Sequence, residues 1–178
     1  MLKKGMVILL IIVILIVLII STNQMIKFIY KTDYSEYVEK YAKEYNIDKY
    51  LIYAVIKNES NFDKEATSNR EAKGLMQIMN ATGEEMANKL NVENELYNEE
   101  TNIQLGAFYL SELLEKYDNY LLAIAAYNAG IGNVDSWIKK GIIKPDGSDI
   151  ENIPFKETNN YVRKISRDYK IYVKLYGE

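Results

Sequence analysis

The sequence predicts an all-α fold preceded by a single transmembrane helix. No stretch alternates apolar and polar residues regularly enough to form a strand, whereas apolar residues recur at helical spacings along most of the chain. The N-terminus differs, because it carries a long run without any polar side chain. We expect residues 1–30 to form a membrane anchor with its flank, and residues 31–178 to form one domain of the usual size.

The apolar run at the N-terminus is Met6–Ile20, and Lys3 and Lys4 precede it. A helix of this length spans only about 22 Å of a hydrocarbon core of roughly 30 Å, so we expect the span either to extend into Ser21–Met25 or to thin the bilayer. No small-residue cleavage pattern follows, which favours an uncleaved anchor over a signal peptide. The two lysines would stay in the cytoplasm. The sequence therefore predicts a single-pass protein of the cell membrane, with its domain on the extracytoplasmic side.

Capping residues predict where the first helices of the domain begin. Asp33 precedes an amphipathic stripe over Tyr34–Tyr45, and Asp48 precedes the helix KYLIYAVIKNES. Further along, Thr82 and Glu85 form a capping-box pattern for a short helix.

The second half of the chain predicts three more helices. Asn98 begins a long one, and Leu121–Tyr127 is apolar enough to be the buried central helix, closed at Gly130. A final helix carries Tyr161 and Tyr176 on its apolar side, and the loop before it holds both prolines. The apolar side of the Asn98 helix is predicted to consist of Ile103, Ala107, Leu110, Leu114 and Tyr117.

Composition excludes several kinds of active site. The chain contains no His and no Cys, so Ser-His-Asp and Cys-His nucleophilic systems and zinc sites built on these residues are ruled out. Proton transfer near neutral pH must then come from a carboxyl group with a raised pKa, a lysine with a lowered pKa, or a tyrosine. The 22 basic and 25 acidic side chains are spread along the chain, so no nucleic-acid partner is expected.

Glu59 is the carboxyl group that fits this requirement. In the helix after Asp48, Leu51, Val55 and Glu59 are four residues apart and share one face, which is otherwise apolar. Glu59 also lies in the last turn, where the helix dipole disfavours negative charge. Desolvation and the helix end both raise the pKa of a carboxyl group, as a general acid requires. On this helix alone, an ordinary solvated glutamate is an equally good interpretation.

Four short motifs follow one another along the chain. They are NES at residues 58–60, KGLMQIM at 73–79, AYNAG at 126–130 and PFKETNNYV at 154–162. Each alone is weak, but in this order and spacing the chain resembles the soluble lytic transglycosylase family, the lysozyme-like enzymes that cleave peptidoglycan. The resemblance covers residues 41–172 and implies a lysozyme-like helical domain.

The resemblance assigns roles to the residues of the first two motifs. It implies that Glu59 is the catalytic acid and base, and that Ser60 helps to orient the sugar or the acid. Gly74 is implied as the tight backbone position at the cleft, whereas Met76 and Gln77 would line it and hold the N-acetyl group. The structural alternatives are core packing for Met76 and a backbone hydrogen bond for Gln77.

The last two motifs supply four further substrate-binding residues. Tyr127 and Asn128 correspond to the family's AYN pair, with the tyrosine hydroxyl close to the reacting sugar. Glu157 and Tyr161 correspond to the ET-x-x-Y element, which closes the cleft behind the catalytic carboxyl. Tyr127 could instead belong to the core, and Glu157 could be a charge placed at a helix start by the dipole.

The resemblance implies a non-hydrolytic reaction without a metal or cofactor. Glu59 would protonate the oxygen that links N-acetylmuramic acid to N-acetylglucosamine, while the substrate's N-acetyl group stabilises the developing cation. The glutamate would then accept the proton of the muramic C6 hydroxyl, which closes on C1 to give a 1,6-anhydro sugar. The implied partners are peptidoglycan glycan strands and, through the N-terminal helix, the membrane; an envelope-spanning machine is left open as a further partner.

Two other functions fit the same sequence. A hydrolytic lysozyme would use the same fold and acid, with Asp63, Glu65 or Glu71 placing a water molecule. A non-catalytic glycan-binding scaffold would keep the groove without the chemistry, although an intact set of motif residues counts against it.

Overall fold

The computed structural model describes residues 2–177, except for the side chains of residues 2–5, 7–9 and 23. Lys3 and Lys4, on which the expected orientation in the membrane depends, therefore lie outside the described side chains. The chain forms two compact units, Met1–Asp33 and Tyr34–Glu178. The boundary of the anchor and its flank at residue 30 stays a prediction.

The first unit contains one long helix, α1 (Leu2–Ile29). Of the described helices, it alone is long and apolar enough to cross a membrane, over Leu10–Ile29 with a mean hydropathy of 2.3. A signal sequence passes the same test of length and composition. The helix includes Ser21–Met25, and within it the Thr22 hydroxyl donates to carbonyl oxygens of the preceding turn at 2.9 Å. This polar side chain is thus satisfied without water.

The second unit is all-α, and this prediction is confirmed. Between residues 34 and 177 no strand forms; the pairing consists of two isolated bridges, Thr67 with Lys73 and Lys73 with Ile78. The helices are α2 (Ser35–Glu44), α3 (Lys49–Glu59), α4 (Asn80–Leu90), α5 (Glu99–Tyr117), α6 (Tyr120–Ala129), α7 (Ile131–Lys139), a 3-10 turn (Ile150–Asn152) and α8 (Lys156–Tyr176).

Two of the predicted helix starts are confirmed by their caps. The side chain of Asp48 accepts a hydrogen bond from the Tyr50 amide at 2.8 Å, and that of Asn98 accepts one from the Thr101 amide at 3.0 Å. Each carboxylate or amide oxygen satisfies a backbone donor that has no partner within its helix.

Two other starts were predicted wrongly. α4 begins at Asn80 rather than after Thr82, because extended Met79 takes the cap position and its carbonyl oxygen accepts from the Gly83 amide at 2.9 Å. α2 is preceded not by a capping Asp33 but by Tyr34, whose left-handed backbone (φ 61°) turns the chain without a side-chain cap.

One helix, α7, was not predicted. It follows α6 with only Gly130 between them, so the expected closure of α6 at this glycine is correct but the chain becomes helical again at once. Val134 and Trp137 are its buried residues, and the Trp137 ring packs edge-on against Phe155 with 5.0 Å between centroids. Tertiary packing thus stabilises a helix that its own nine residues predict weakly.

The core is centred on α6, as predicted. All of Leu122–Ala126 is fully buried, and α6 packs against α5, α7 and α8. Each such leucine or isoleucine contributes roughly 1.5–3 kcal/mol of burial free energy. On α5 the predicted apolar side is mostly correct, although Leu113 is buried where Leu114 was expected.

The helix that ends at Glu59 is held by α8. α3 packs against α8, with the Tyr53 and Tyr172 rings stacked at 5.6 Å. About one turn nearer the start of α3, the Tyr50 hydroxyl donates to the carbonyl oxygen of Tyr176. The two helices are therefore fixed side by side, which positions the last turn of α3.

Candidate active site

Glu59 is the last residue of one of the most buried helices in the domain. The preceding residues Leu51–Ile56 are each at most 3% exposed. Because Glu59 follows Val55 by four residues, it continues their buried face. Its side chain is partly buried and lines a cleft of about 490 Å³.

The Glu59 carboxyl has one hydrogen-bond partner in α8. The Tyr161 hydroxyl donates to Oε1 at 2.5 Å. Tyr161 projects from the second turn of α8, so the packing of α8 on α3 delivers this contact. The structure thus brings together the two residues that the first and last motifs supply.

Burial sets the protonation state of this pair. Desolvation raises the pKa of the Glu59 carboxyl and the hydrogen bond from Tyr161 lowers it by less, so that the resulting pKa is about 7. Burial and the nearby Glu59 hold the pKa of the Tyr161 hydroxyl well above its usual value. The tyrosine therefore remains a donor while the glutamate titrates near neutral pH.

Residues 66–79 form a wall of the cleft that is fixed at Gly74. This glycine has φ +74°, and a Cβ on it would lie 2.2 Å from the carbonyl oxygen of Leu96. Beside it, buried Asn102 accepts from the Met76 amide at 2.8 Å and donates to the carbonyl oxygens of Lys73 and Leu96 at 3.0 and 2.8 Å. One side chain thus satisfies three backbone groups of the wall and its support.

Ser60 and Met76 hold this wall instead of facing the cleft. The Ser60 hydroxyl donates to the carbonyl oxygen of Leu75 at 2.8 Å, joining the end of α3 to the wall. The Met76 side chain is fully buried against Gly106, where a Cβ would lie 2.5 Å from its sulfur. The expectation that Met76 lines the cleft is therefore not met, and packing is its role.

Gln77 and Tyr127 line the cleft with their polar groups partly committed. Gln77 Nε2 donates to the carbonyl oxygens of Ala66 and Gly74 at 3.0 and 2.9 Å. The Tyr127 hydroxyl donates to the carbonyl oxygen of Met76 at 2.8 Å. The donor groups of both side chains are thus bound to carbonyl oxygens of the wall, and their side-chain oxygens remain as hydrogen-bond acceptors for a ligand.

Asn128, beside Tyr127, also lines the cleft and is oriented by α8. The hydroxyl of Thr158, which is 2% exposed, donates to Asn128 Oδ1 at 2.8 Å. With its oxygen bound in this way, the amide offers its N–H groups as donors. The cleft therefore combines acceptor oxygens from Gln77 of the wall and Tyr127 of α6 with donor N–H groups from Asn128.

Glu157 lies at the exposed rim. Its carboxylate is 3.8 Å from a guanidinium nitrogen of Arg70, and the two side chains are 74% and 80% exposed. A pair this exposed adds little stability. Glu157 and Glu59 are the carboxylates among the cleft-lining residues, and the described part of the chain contains no group of three acidic side chains able to hold a metal ion.

A protein-family model covers most of the residues that build this site. The model of the transglycosylase SLT domain matches residues 36–147, which include α3, the cleft wall and α6. The chain belongs to the SLT transglycosylase family. Its all-α, lysozyme-like fold is thereby confirmed.

Curated relatives of this SLT domain are soluble and membrane-bound enzymes. The chain is 31% identical over 139 residues to the soluble lytic murein transglycosylase of Salmonella typhimurium, covering 74% of this chain and 22% of that protein. It is 38% identical over 104 residues to the membrane-bound lytic murein transglycosylase F of Desulfosudis oleivorans, covering 54% and 22%. The match thus spans little more than a fifth of the length of each of these two relatives.

Solved structures of SLT-family enzymes have the same fold. An inactive glutamate-to-glutamine mutant of lytic transglycosylase Slt from Pseudomonas aeruginosa gives a TM-score of 0.75 at 34% identity, over 82% of this chain and 24% of that one. The complex of the 70-kDa soluble lytic transglycosylase with bulgecin A gives 0.78 at 28% identity, over 86% and 26%.

Several residues of the site were not found from the sequence, and three of them hold or flank the predicted ones. Thr158 orients Asn128, Asn102 holds the SLT cleft wall, and Arg70 stands at the rim. Thr158 lies inside the quoted ETNNY motif, and Asn102 is a polar residue on an otherwise apolar helix face, so both carried a signal. Arg70 carried none beyond its charge.

Proposed function

We propose that this chain is a membrane-anchored lytic transglycosylase that cleaves the β-1,4 bond between N-acetylmuramic acid and N-acetylglucosamine in peptidoglycan. The observation that carries the proposal is Glu59, a carboxyl group with a pKa of about 7 in a cleft, held by the Tyr161 hydroxyl. A group that titrates near neutral pH can both give and take a proton in one cycle.

The first step breaks the glycosidic bond. Protonated Glu59 gives its proton to the bridging oxygen, the C1–O bond breaks, and N-acetylglucosamine leaves with a new hydroxyl group. The substrate's own N-acetyl group stabilises the positive charge at C1. Gln77 and Tyr127, which present acceptor oxygens, suit the N-acetyl N–H and the sugar hydroxyls, while the Asn128 amide donates to sugar oxygens.

The second step returns the proton. The C6 hydroxyl of the muramic residue attacks C1, and its proton passes to the Glu59 carboxylate. A 1,6-anhydro ring forms, no water is consumed, and Glu59 is ready for another cycle. Tyr161 remains protonated throughout, so its hydrogen bond orients the carboxyl in both states.

The carboxylates of the domain favour this reaction over hydrolysis. Most glycosidases use two carboxyl groups that flank the bond. The three acids that a lysozyme mechanism would use for a water molecule, Asp63, Glu65 and Glu71, are not among the residues that line the cleft. Glu157 does line it, but at the exposed rim beside Arg70.

Membrane attachment through residues 1–30 is part of the proposal. It is supported by the length and composition of α1 and by the membrane-bound relatives. The catalytic domain, residues 31–178, would then act on glycan strands at the extracytoplasmic face. An envelope-spanning machine as partner stays a hypothesis.

Digestion of purified peptidoglycan in oxygen-18 water tests the chemistry. We expect anhydro products that are one water lighter than lysozyme products and carry no label, because the internal hydroxyl is positioned far more effectively than water. Label at C1 of the muramic residue in most of the product would identify a lysozyme. If neither kind of product forms, the remaining interpretation is a non-catalytic glycan-binding scaffold.

A pair of matched variants tests the assignment of the acid. Glu59→Gln should fold and bind glycan but lose about a hundredfold to ten-thousandfold in turnover, as loss of a general acid does. Glu65→Gln, the same change at an exposed glutamate outside the cleft lining, should keep wild-type turnover. Comparable activity in the two variants contradicts the assignment.

A further inference from the structure

Asp168 is a buried charge that the proposed reaction does not use. It lies on the inner face of α8 and is 1% exposed. It follows Tyr161 by seven residues, about two helical turns, so both side chains are on the same face of α8. A carboxylate this deep is tolerated only where charged and hydrogen-bonding groups compensate it.

Two partners of Asp168 lie in the last turn of α3. Its Oδ2 accepts a hydrogen bond from Asn58 Nδ2 at 3.0 Å, and Lys57 Nζ is 3.9 Å from the same oxygen. Its Oδ1 accepts from Nε of the neighbouring Arg167 at 2.8 Å. Lys57 and Asn58 immediately precede Glu59, so the buried charge acts on the turn that carries the acid.

Asn58 connects the two helices with a fixed amide. The nitrogen that donates to Asp168 also donates to the carbonyl oxygen of Ala54 at 2.9 Å, within α3. Both of its N–H groups are therefore used, one in its own helix and one across to α8. The amide cannot turn without losing one of these hydrogen bonds.

The last turn of a helix needs such support, because its final carbonyl groups lack intrahelical partners. Directly after α3, Ser60 ties this turn to the cleft wall through the Leu75 carbonyl oxygen. On the side of α8, Tyr161 contacts the Glu59 carboxyl itself. Asp168 contacts the residue before it, so α8 holds the turn at two points.

We propose that Asp168 is a positioning residue for Glu59. Through Asn58 it fixes the last turn of α3 against α8, which keeps the Glu59 carboxyl within hydrogen-bond distance of Tyr161 as its protonation alternates. The inference rests on the proposed function and adds a residue that is not among those that line the cleft.

Two substitutions of the full chain separate the hydrogen bond from mere packing. Asp168→Asn keeps an acceptor for Asn58, whereas Asp168→Leu removes it at similar volume. On soluble, uncrosslinked glycan strands, the Leu variant is expected to lose at least about tenfold in kcat, with KM within about twofold, since a misplaced catalytic group weakens the transition state and not binding. The Asn variant should keep at least about a third of the wild-type kcat.

The pH dependence of kcat distinguishes a positioning role of Asp168 from a purely structural one, because loss of stability alone does not shift the pKa of Glu59. The titratable groups around Glu59 are Tyr161 and Tyr127, with Arg70 and Glu157 at the rim. Of these, Tyr161 lowers the pKa of Glu59 through its hydrogen bond. Loosening that contact in Asp168→Leu should move the Glu59 limb of the pH–rate profile to higher pH, whereas Asp168→Asn should leave it in place.

A second variant and a control protect the test against misfolding. Asn58→Ala removes the connecting amide and should reproduce the loss of kcat and the shifted limb, and the double variant Asn58→Ala with Asp168→Leu should lose no more than either single variant. Ile165→Ala creates a cavity on the same helix at a fully buried residue. It should lower Tm but leave kcat and the limb unchanged when activity is measured well below Tm.

The outcomes are distinct. The proposal is overturned if folded Asp168→Leu or Asn58→Ala keeps a kcat within twofold of wild type and an unmoved Glu59 limb. It is also overturned if Asp168→Asn loses as much kcat as Asp168→Leu. If Asp168→Leu does not fold, Asn58→Ala decides alone. Turnover that persists in Glu59→Gln overturns the proposed function instead, whereas an inactive Glu59→Gln beside an unaffected Asn58→Ala rejects only the positioning role.

Discussion

The Tyr161 hydroxyl donates a 2.5 Å hydrogen bond to the Glu59 carboxyl and so joins α8 to the last turn of α3. Sequence separates these residues by about a hundred positions, and only the packing of the two helices brings them together. The contact has opposite effects on the two groups. It lowers the pKa of Glu59 against a larger rise from burial, while the proximity of Glu59 contributes to the raised pKa of Tyr161.

Tyr161→Phe removes this hydrogen bond and leaves the burial. The pKa of Glu59 should then rise above about 7, because the one lowering cause is lost. The corresponding limb of the kcat/KM profile should move to higher pH, and kcat should fall because the carboxyl is less well oriented. Tyr120→Phe makes the same change at a hydroxyl bonded to Ser166 instead and should leave the limb where it is. A profile identical in both variants contradicts the prediction.

Glu59 also makes stability depend on pH. Its folded pKa is raised from 4.5 to about 7, so its contribution is fully present below about pH 4.5 and is lost as the pH rises through 7. Glu59→Gln should therefore raise the free energy of unfolding by about 1–3 kcal/mol at pH 8, with no gain at pH 4. Chemical denaturation of the detergent-solubilised chain, followed by circular dichroism at both pH values, measures this. Equal gains at the two pH values would exclude titration of Glu59 as the cause.

Gly74→Ala should destabilise the cleft wall strongly. A methyl group there would enter a left-handed backbone and also approach the Leu96 carbonyl oxygen to 2.2 Å. Gly141→Ala separates the two causes, because Gly141 has a similar φ of +67° but no atom within 4 Å of its Cβ position. We expect Gly141→Ala to cost about 1–2 kcal/mol and Gly74→Ala distinctly more, with loss of glycan cleavage. Equal unfolding free energies for the two variants would show that the cleft wall moves enough to accommodate the methyl group.

The anchor can be tested on the unmodified chain. If residues 1–30 remain attached, the protein should stay in the membrane fraction after a high-salt wash, and mass spectrometry should find Lys3 and Lys4 in the isolated protein. Insertion of this kind resists salt because it depends on apolar burial in lipid and not on charge. Recovery of a soluble protein that begins after residue 20 would identify a cleaved signal peptide.

The sequence predicted the helices whose ends carry strong local signals. Asp48 and Asn98 cap their helices as expected, because a side-chain oxygen at the cap acts on the next few residues alone. α7 was missed because Gly130 ends one helix and directly precedes another, which is stabilised mainly by burial of Val134 and Trp137. Tertiary contacts of this kind have no counterpart in local sequence.

The residues of the candidate site also differ in whether local sequence or tertiary contacts determine their role. The apolar face of α3 singled out Glu59, and the motif resemblance added the other cleft residues that the structure brings near it. Met76 could not be distinguished from a cleft residue, since its burial depends on Gly106 of a different helix. Asp168 gave no signal at all, because its significance lies in a hydrogen bond to Asn58 across 110 residues.

The way the cleft wall is held has a kinetic consequence. Asn102, Gln77 and Ser60 donate to backbone carbonyl oxygens in or beside residues 66–79, so this segment is bound within the protein itself. A preorganised wall loses little conformational entropy when a ligand arrives. Association with a glycan strand should therefore be a single step whose observed rate grows linearly with strand concentration, instead of levelling off at the rate of a loop closure.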